Sequence, residues 1–309
     1  MEGCFMSKKK KAPTLAYQLR ASVNNAFQEG RSKRADKLNS EDGRKNNVYS
    51  YNHRKDLIQF ASQFAEYCKG QGVRMAYEIN ASHVRTFLEH KSKTCADSTL
   101  KTYYQHIGKL NKLVCKEYKT IQTNWRQDVQ IPQGVNHTKQ RDVKVSRESM
   151  DKVLDNLDLK YATHRGIILA ESLGLRASEV SKIKGTFIDI EKRTVTVQGK
   201  GGRFREIPIP ESRVEILSHL KEAFPESRIC SAKPDSVNTT LKRQLAYADC
   251  HDLDDSKSGI HAVRKLWATE MYEEKIECGM SEKDAWGDVS ESLGHGRERP
   301  DLYKVYIVK

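Results

Sequence analysis

The chain has 309 residues, 37% of them hydrophobic and 31% charged, and a formal net charge of +13. Domains run to roughly 100–200 residues, so two are expected. No stretch approaches the ~20 apolar residues of a membrane span, and the start "MEGCFMSKKKKAPT" lacks the apolar core of a signal peptide, so a soluble, cytoplasmic protein without a membrane partner is expected. Seven scattered cysteines without a C-x-x-C argue against both a disulfide framework and a zinc module, and read as reduced thiols. The charge is unevenly spread. Residues 1–145 hold 27 Lys and Arg against 13 Asp and Glu, whereas residues 146–309 hold 27 against 28. A basic half of this kind suits an extended polyanion, with DNA or RNA ahead of an anionic membrane surface.

Along the chain, residues 1–47 read as a basic N-terminal tail with a short helix at 15–27 and a polar, glycine-punctuated loop at 29–47. From Val48 the pattern is helical. Leu57, Phe60, Ala61, Phe64 and Cys68 follow i, i+3, i+4, i+7 spacing, ended by Gly70 and Gly72. Asn80 is placed to cap a second helix with Val84, Phe87 and Leu88 inward, and Ser98 a third with Leu100, Tyr103, Tyr104, Ile107, Leu110 and Val114 on one stripe. Lys101, Lys109, Lys112 and Lys116 decorate that third helix away from its apolar face and are the candidate DNA contacts. A small helical DNA-binding domain over 48–125 follows.

Residues 126–145 carry Pro, Gly and polar residues without period and predict a linker. The second domain, 146–309, opens on a helix capped by Ser146, then an apolar helix over 162–173 stopped by Gly174. Short β-branched runs at 186–190, 193–198 and 204–210 predict a three-stranded antiparallel sheet. Helical character returns in "VEILSHLKEAF", "VNTTLKRQLAYADC" and "AVRKLWATEMYEEK". The fold expected is mainly α with one small antiparallel β-sheet.

Four short elements of this second half stand in a telling order. "LGLRASEV" (173–180) puts Arg176 at the turn opening a helix, with Glu179 behind it. "VQGKGGRFREIPI" (197–209) puts Lys200 in a glycine-flanked hairpin. "HAVRKLWATEMY" (261–272) puts His261 and Arg264 three apart on one helix face. "LGHGRERPDLYKVY" (293–306) adds His295 and two tyrosines, Tyr303 and Tyr306. Each is weak alone. "GKGG" in particular is not a P-loop, since it lies between strands and lacks G-x-x-x-x-G-K-[ST].

Taken together, these elements resemble the catalytic domain of the tyrosine recombinases, the phage-integrase family. That family carries a Gly-Leu-Arg-x-x-Glu box, a hairpin G-K-G lysine, an H-x-x-R box, and L-G-H followed by a nucleophilic tyrosine. The likeness is strong over 170–309, and the first half is similar to the family's helical core-binding domain, notably in "STLKTYYQHIGKL" (98–110). The resemblance implies a catalytic set of Arg176, Lys200, His261, Arg264, His295 and a tyrosine, with Glu179 in support. It implies DNA strand cleavage and rejoining through a 3′-phosphotyrosyl link by an integrase of a phage or mobile element. Double-stranded DNA would be the partner, held by four subunits on two sites, with accessory bending or directionality factors possible. Its alternatives are a type IB topoisomerase-like or resolvase-type nicking-closing enzyme, and a DNA-binding relative that has lost catalysis.

The residue types suit phosphoryl transfer without a metal or cofactor. Guanidinium forks give bidentate, charge-assisted bonds to the charge gathering on the phosphate. A lysine can protonate the poor 5′-oxygen leaving group, and a phenol can hold the strand covalently for resealing. The nearest acidic cluster, Asp252, Asp254 and Asp255, lacks the glycine and terminal Glu of an EF-hand loop. In the family the nucleophile commonly lies nine residues after the L-G-H histidine. Here Tyr303 lies at +8 and Tyr306 at +11. The aliphatic neighbours Val305 and Ile307 favour Tyr306, with Tyr303 as the alternative. Three residues follow Tyr306, fewer than the docking segment of many relatives.

Overall fold

The computed structural model describes residues 13–39, 46–119, 123–135, 143–199, 202–254 and 258–307. Their buried apolar side chains gather into two separate cores, and the chain divides into two units, Met1–Lys139 and Gln140–Lys309. The 8–11 lysine run, Cys4, Lys200 and Asp255 lie outside the described residues.

In the first unit, α1 (Leu15–Asn25) is capped by the Thr14 side chain and buries Leu15, Leu19 and Val23. It therefore packs into this unit's core instead of standing in a separate tail. The loop expected at 29–47 contains a short helix, α2 (Lys33–Asn39). Ser32 accepts from the Ala35 amide at its start, and the Asp36 carboxylate accepts from Arg31 (2.7 Å) and Tyr49 (2.6 Å). These polar bonds supply what an apolar stripe would otherwise have signalled.

Ser50 caps α3 (Tyr51–Gly70), where all five predicted core residues are buried. Asn80 caps α4 (Ala81–Ser92) through the Ser82 and His83 amides. The next helix, α5 (Asp97–Glu117), starts one residue before Ser98, which therefore lies inside the helix and is not its cap; Ala96 holds the cap position without a side-chain bond. Asp97 then binds the Gly134 amide at 2.7 Å. With the Val135 amide donating to the Cys95 carbonyl (3.1 Å) and Trp125 fully buried, the first part of the expected linker, up to Val135, is fastened to this unit. Phe60, Phe64, Phe87 and Trp125 make edge, stacked and tilted ring contacts at the centre, with centroids 5.1–6.2 Å apart.

In the second unit Ser146 caps α6 (Arg147–Asp155), and its own amide donates to Asp252 at 2.7 Å. The Ser149 hydroxyl donates to the same carboxylate at 2.6 Å, so Asp252 is occupied in holding a helix start. Helix α7 (Ala162–Leu173) is buried on every side from His164 onward, the state of a helix through the middle of a core. It ends at Gly174 with φ 58°, where a Cβ would meet the Trp267 ring at 2.4 Å; only glycine permits both. One turn of helix, α8 (Ala177–Val180), follows.

Strands β1 (Ile188–Asp189), β2 (Thr194–Gln198) and β3 (Phe204–Pro208) form an antiparallel sheet in the order β1-β2-β3. Val195 of β2 stands opposite Ile207 of β3, and both are buried. Helices α9 (Val214–Ala223), α10 (Pro234–Tyr247) and α11 (Ile260–Glu277) follow the predicted runs. A further helix, α12 (Glu282–Ser292), capped by Ser281, lies where no element was expected, and the last turn is α13 (Tyr303–Tyr306). The six described cysteines are free thiols. No helix among the described residues is long and apolar enough to cross a membrane.

Candidate functional site

Four segments far apart in sequence converge within the second unit: the α7–α8 turn, the start of α11, the turn after α12, and α13. Arg176 is the residue before α8, where the backbone is extended and the side chain is free to leave the helix. One of its guanidinium nitrogens donates to Glu179 at 2.8 Å, and another lies 3.1 Å from His295 Nε2. Glu179 also accepts from the Arg176 backbone amide at 3.0 Å, closing the turn on itself.

Arg264 is wholly buried. It donates to the carbonyls of Gly174 (2.6 Å) and Leu293, lies 3.7 Å from Glu179, and sits 5.6 Å from the centre of the Tyr306 ring. The left-handed Gly174 and the Leu-Gly-His turn thus present the two carbonyls that aim this arginine. Its Nε has no partner among the described residues. Burial, with the nearby Arg176 charge, pushes the guanidinium down to about 10, which leaves it charged at neutral pH.

His295 receives the Arg176 nitrogen on Nε2, and the Tyr306 hydroxyl lies 3.0 Å from that same atom. A guanidinium only donates, so Nε2 is the acceptor and the ring is neutral there. Burial and then the charges of Arg176, Arg264, Arg299 and Arg205 push His295 down to about 4. The Tyr306 hydroxyl therefore faces an unprotonated nitrogen. His261, half-buried near the start of α11, meets the Tyr306 ring edge-on at 5.5 Å.

The two candidate tyrosines part company. Tyr306 is 4% exposed among His261, His295 and Arg264. Tyr303 packs instead between Tyr272 (5.4 Å) and Trp286 (5.6 Å), behind the helix. Trp286 also donates from its indole nitrogen to the Arg299 carbonyl at 3.0 Å, which fixes the loop ahead of α13.

One residue of the cluster escaped the sequence reading. Arg205 of β3 binds both oxygens of Glu179, at 3.0 and 2.9 Å, and the Ser292 carbonyl at 2.7 Å. Strand alternation was the available signal: Arg205 shares the inward face with Ile207, where a charge needs a buried partner. Burial would raise the Glu179 carboxyl, but the Arg205 bonds and charge, with the Arg176 amide and Arg264, hold it down at about 2.

The candidate DNA contacts lie in the first unit. Lys101, Lys112 and Lys116 are exposed along α5. Lys109 departs from the expected outward position. It is half-buried and donates to the Asn47 carbonyl at 2.8 Å, because the segment before α3 closes over that face of the helix. Lys116 reaches the Asn47 side chain at 3.2 Å. Burial and the neighbouring Lys33, Lys112 and Lys116 bring Lys109 down to about 8. Among the described residues no group of three His, Cys, Asp or Glu side chains is placed to hold a metal ion.

Residues 144–283 match the family model described as the phage integrase family. That stretch contains Arg176, Glu179, Lys200, His261 and Arg264 and ends before His295 and Tyr306. Tyrosine recombinase XerA of Pyrococcus furiosus is 32% identical over 142 residues, covering 42% of this chain and 44% of that protein. Tyrosine recombinase XerC of Caldanaerobacter subterraneus is 25% identical over 190 residues, covering 57% and 49%. The chain thus spans about half the length of these curated relatives. In three dimensions it is similar to the XerH site-specific recombinase bound to a palindromic difH substrate, with a TM-score of 0.62 at 16% identity, over 94% of this chain and 90% of that one.

Proposed function

We propose that this chain, whose residues 144–283 match the phage integrase family model, is a tyrosine-type site-specific DNA recombinase that cuts and rejoins DNA strands through a tyrosine, serving a phage or mobile element. Tyr306 is the nucleophile. Its oxygen attacks the scissile phosphorus, the bond to the 5′-oxygen breaks, and the 3′-phosphate stays on the tyrosine. The phenol proton passes to His295 Nε2. Arg176 and Arg264 stabilise the charge gathering on the non-bridging oxygens, at a few kcal/mol per aimed donor. Lys200 protonates the leaving 5′-oxygen, and His261 supports the Tyr306 ring beside the phosphate. A 5′-hydroxyl from a second strand then reverses the same steps, so bond energy is conserved and no external energy source is needed.

Double-stranded DNA is the partner, with Lys101, Lys109, Lys112 and Lys116 supplying phosphate contacts, and four subunits act on two sites. The observation that carries this reading is the shared acceptor: one neutral histidine nitrogen receives both Arg176 and the Tyr306 hydroxyl. A nicked suicide duplex tests it, because loss of the short leaving strand traps the intermediate. A covalent protein–DNA band that disappears in Arg176→Ala, while mobility-shift affinity is kept, supports the reading. Absence of any adduct on a duplex that the chain binds specifically overturns it.

A further inference from the structure

We propose that Arg205 is a positioning residue for strand cleavage, tying the β2–β3 hairpin to the turn that carries Arg176 and to the turn that carries His295. This rests on the recombinase reading and extends it to a side chain whose bonds run within the protein.

All three guanidinium nitrogens of Arg205 are engaged inside the protein. Two grip the Glu179 carboxylate side by side at 3.0 and 2.9 Å, and Nε donates to the Ser292 carbonyl at 2.7 Å. Three of its five N–H donors are thereby used within the protein, one on each nitrogen. The group is 12% exposed and Glu179 2%, so this pair is largely screened from water and its geometry is held tightly.

Both bonds lead to the reacting groups at one remove. Glu179 is the acceptor that orients Arg176, through the guanidinium at 2.8 Å and the backbone amide at 3.0 Å. The Ser292 carbonyl stands one residue before Leu293, whose carbonyl aims Arg264, and three before His295. Gly294 between them has φ 75°, and a Cβ there would lie 3.2–3.3 Å from Arg205 atoms. The arginine therefore fills the side of the turn that glycine leaves open. Removing it frees the turn and leaves Glu179 buried with Arg176 and the more distant Arg264 as its remaining cations.

The test follows covalent adduct formation on the nicked duplex as a function of DNA concentration and pH. Arg205→Ala is expected to slow the rate at saturating DNA by about 100-fold, the scale of a ~1 Å misplacement. Its half-saturating DNA concentration should change by less than about threefold, as expected of a side chain that orients the reacting groups from within the protein. Its acid limb should move up, because Arg205 also helps hold His295 down near 4, and without its charge both His295 and Glu179 become easier to protonate. Arg205→Lys keeps the charge without the fork, so it should return most of the acid limb while the rate stays about tenfold low. It also serves if the alanine variant does not fold.

A wild-type rate in either folded variant overturns the proposal. So does a defect in DNA affinity alone, or a slow rate with an unmoved acid limb. A wild-type chain that forms no adduct is a different result: it defeats the recombinase reading, and the positioning role with it.

Discussion

The hydroxyl of Tyr306 lies 3.0 Å from Nε2 of His295, whereas Tyr303, three residues earlier, packs between Tyr272 and Trp286. At ~1.5 Å rise and 100° per residue, three positions shift a hydroxyl by ~4.5 Å along the helix and turn it by about 60°. The two phenols cannot exchange places without unwinding α13.

Tyr306→Phe is therefore expected to abolish the covalent adduct on a nicked duplex. Tyr303→Phe keeps its ring between Tyr272 and Trp286 and should lower the rate by less than about tenfold. Tandem mass spectrometry of the proteolysed adduct locates the link; a phosphotyrosyl mark on Tyr303 reverses the assignment.

His295 leads to a pH prediction. With the ring pushed down to about 4 by burial and four arginines, the free protein holds it neutral throughout the physiological range. Proton binding then weakens its role only as pH falls toward 4. The rate of adduct formation at low DNA concentration should show no acid limb from this group between about pH 5.5 and 8, since that regime reports the free protein's ionisations. His295→Ala should cost ~100-fold or more. An acid limb near the ordinary histidine value that His295→Gln removes would contradict the geometry.

For Lys200, the expectation concerns the leaving group. A 5′-phosphorothiolate substrate departs as a thiolate and needs no proton, so it should restore cleavage by Lys200→Ala to within about tenfold of the wild type. A defect that persists on that substrate removes the lysine from the general-acid role.

Lys109 gives a second pH dependence, this time in binding. Its ammonium titrates at about 8 because burial, Lys33, Lys112 and Lys116 all disfavour the charge. Below that value it is charged and can meet a phosphate at no protonation cost; above it, binding must take up a proton. DNA affinity should accordingly fall between about pH 7 and 9, and Lys109→Arg, which stays charged, should flatten the fall. Salt titrations at both pH values check the cause: each phosphate that is no longer neutralised lowers the slope of log K against log salt by about 0.9. A Lys109→Arg profile as steep as the wild type would rule this group out.

Much of the architecture was legible one element at a time. The spacing of Leu57, Phe60, Ala61, Phe64 and Cys68 predicts the buried stripe of α3, and Ser146 and Asn80 mark helix starts, because helix period and capping are properties of neighbours within four residues. Helix α2 was missed because polar bonds from Asp36, not an apolar stripe, hold it. For α12, Ser281 was an available cap, but the run behind it is short of apolar residues beyond Ala285, Trp286 and Val289. The chemical types of the site were legible too, as short motifs in order.

By itself, then, the sequence determined which side chains are present and which local element carries each one. Tertiary structure alone decided which of them meet. Arg176 and His295 are 119 residues apart, and Arg205 reaches across 87 residues to Ser292; no local period links such positions. The spacing from His295 places neither tyrosine at the usual distance. Only the packing of Trp286 and Tyr272 behind α13 turns Tyr303 away and Tyr306 toward His295. That choice is made by side-chain packing in three dimensions, where the Tyr272–Trp286 pocket takes the Tyr303 ring and His261, His295 and Arg264 surround that of Tyr306.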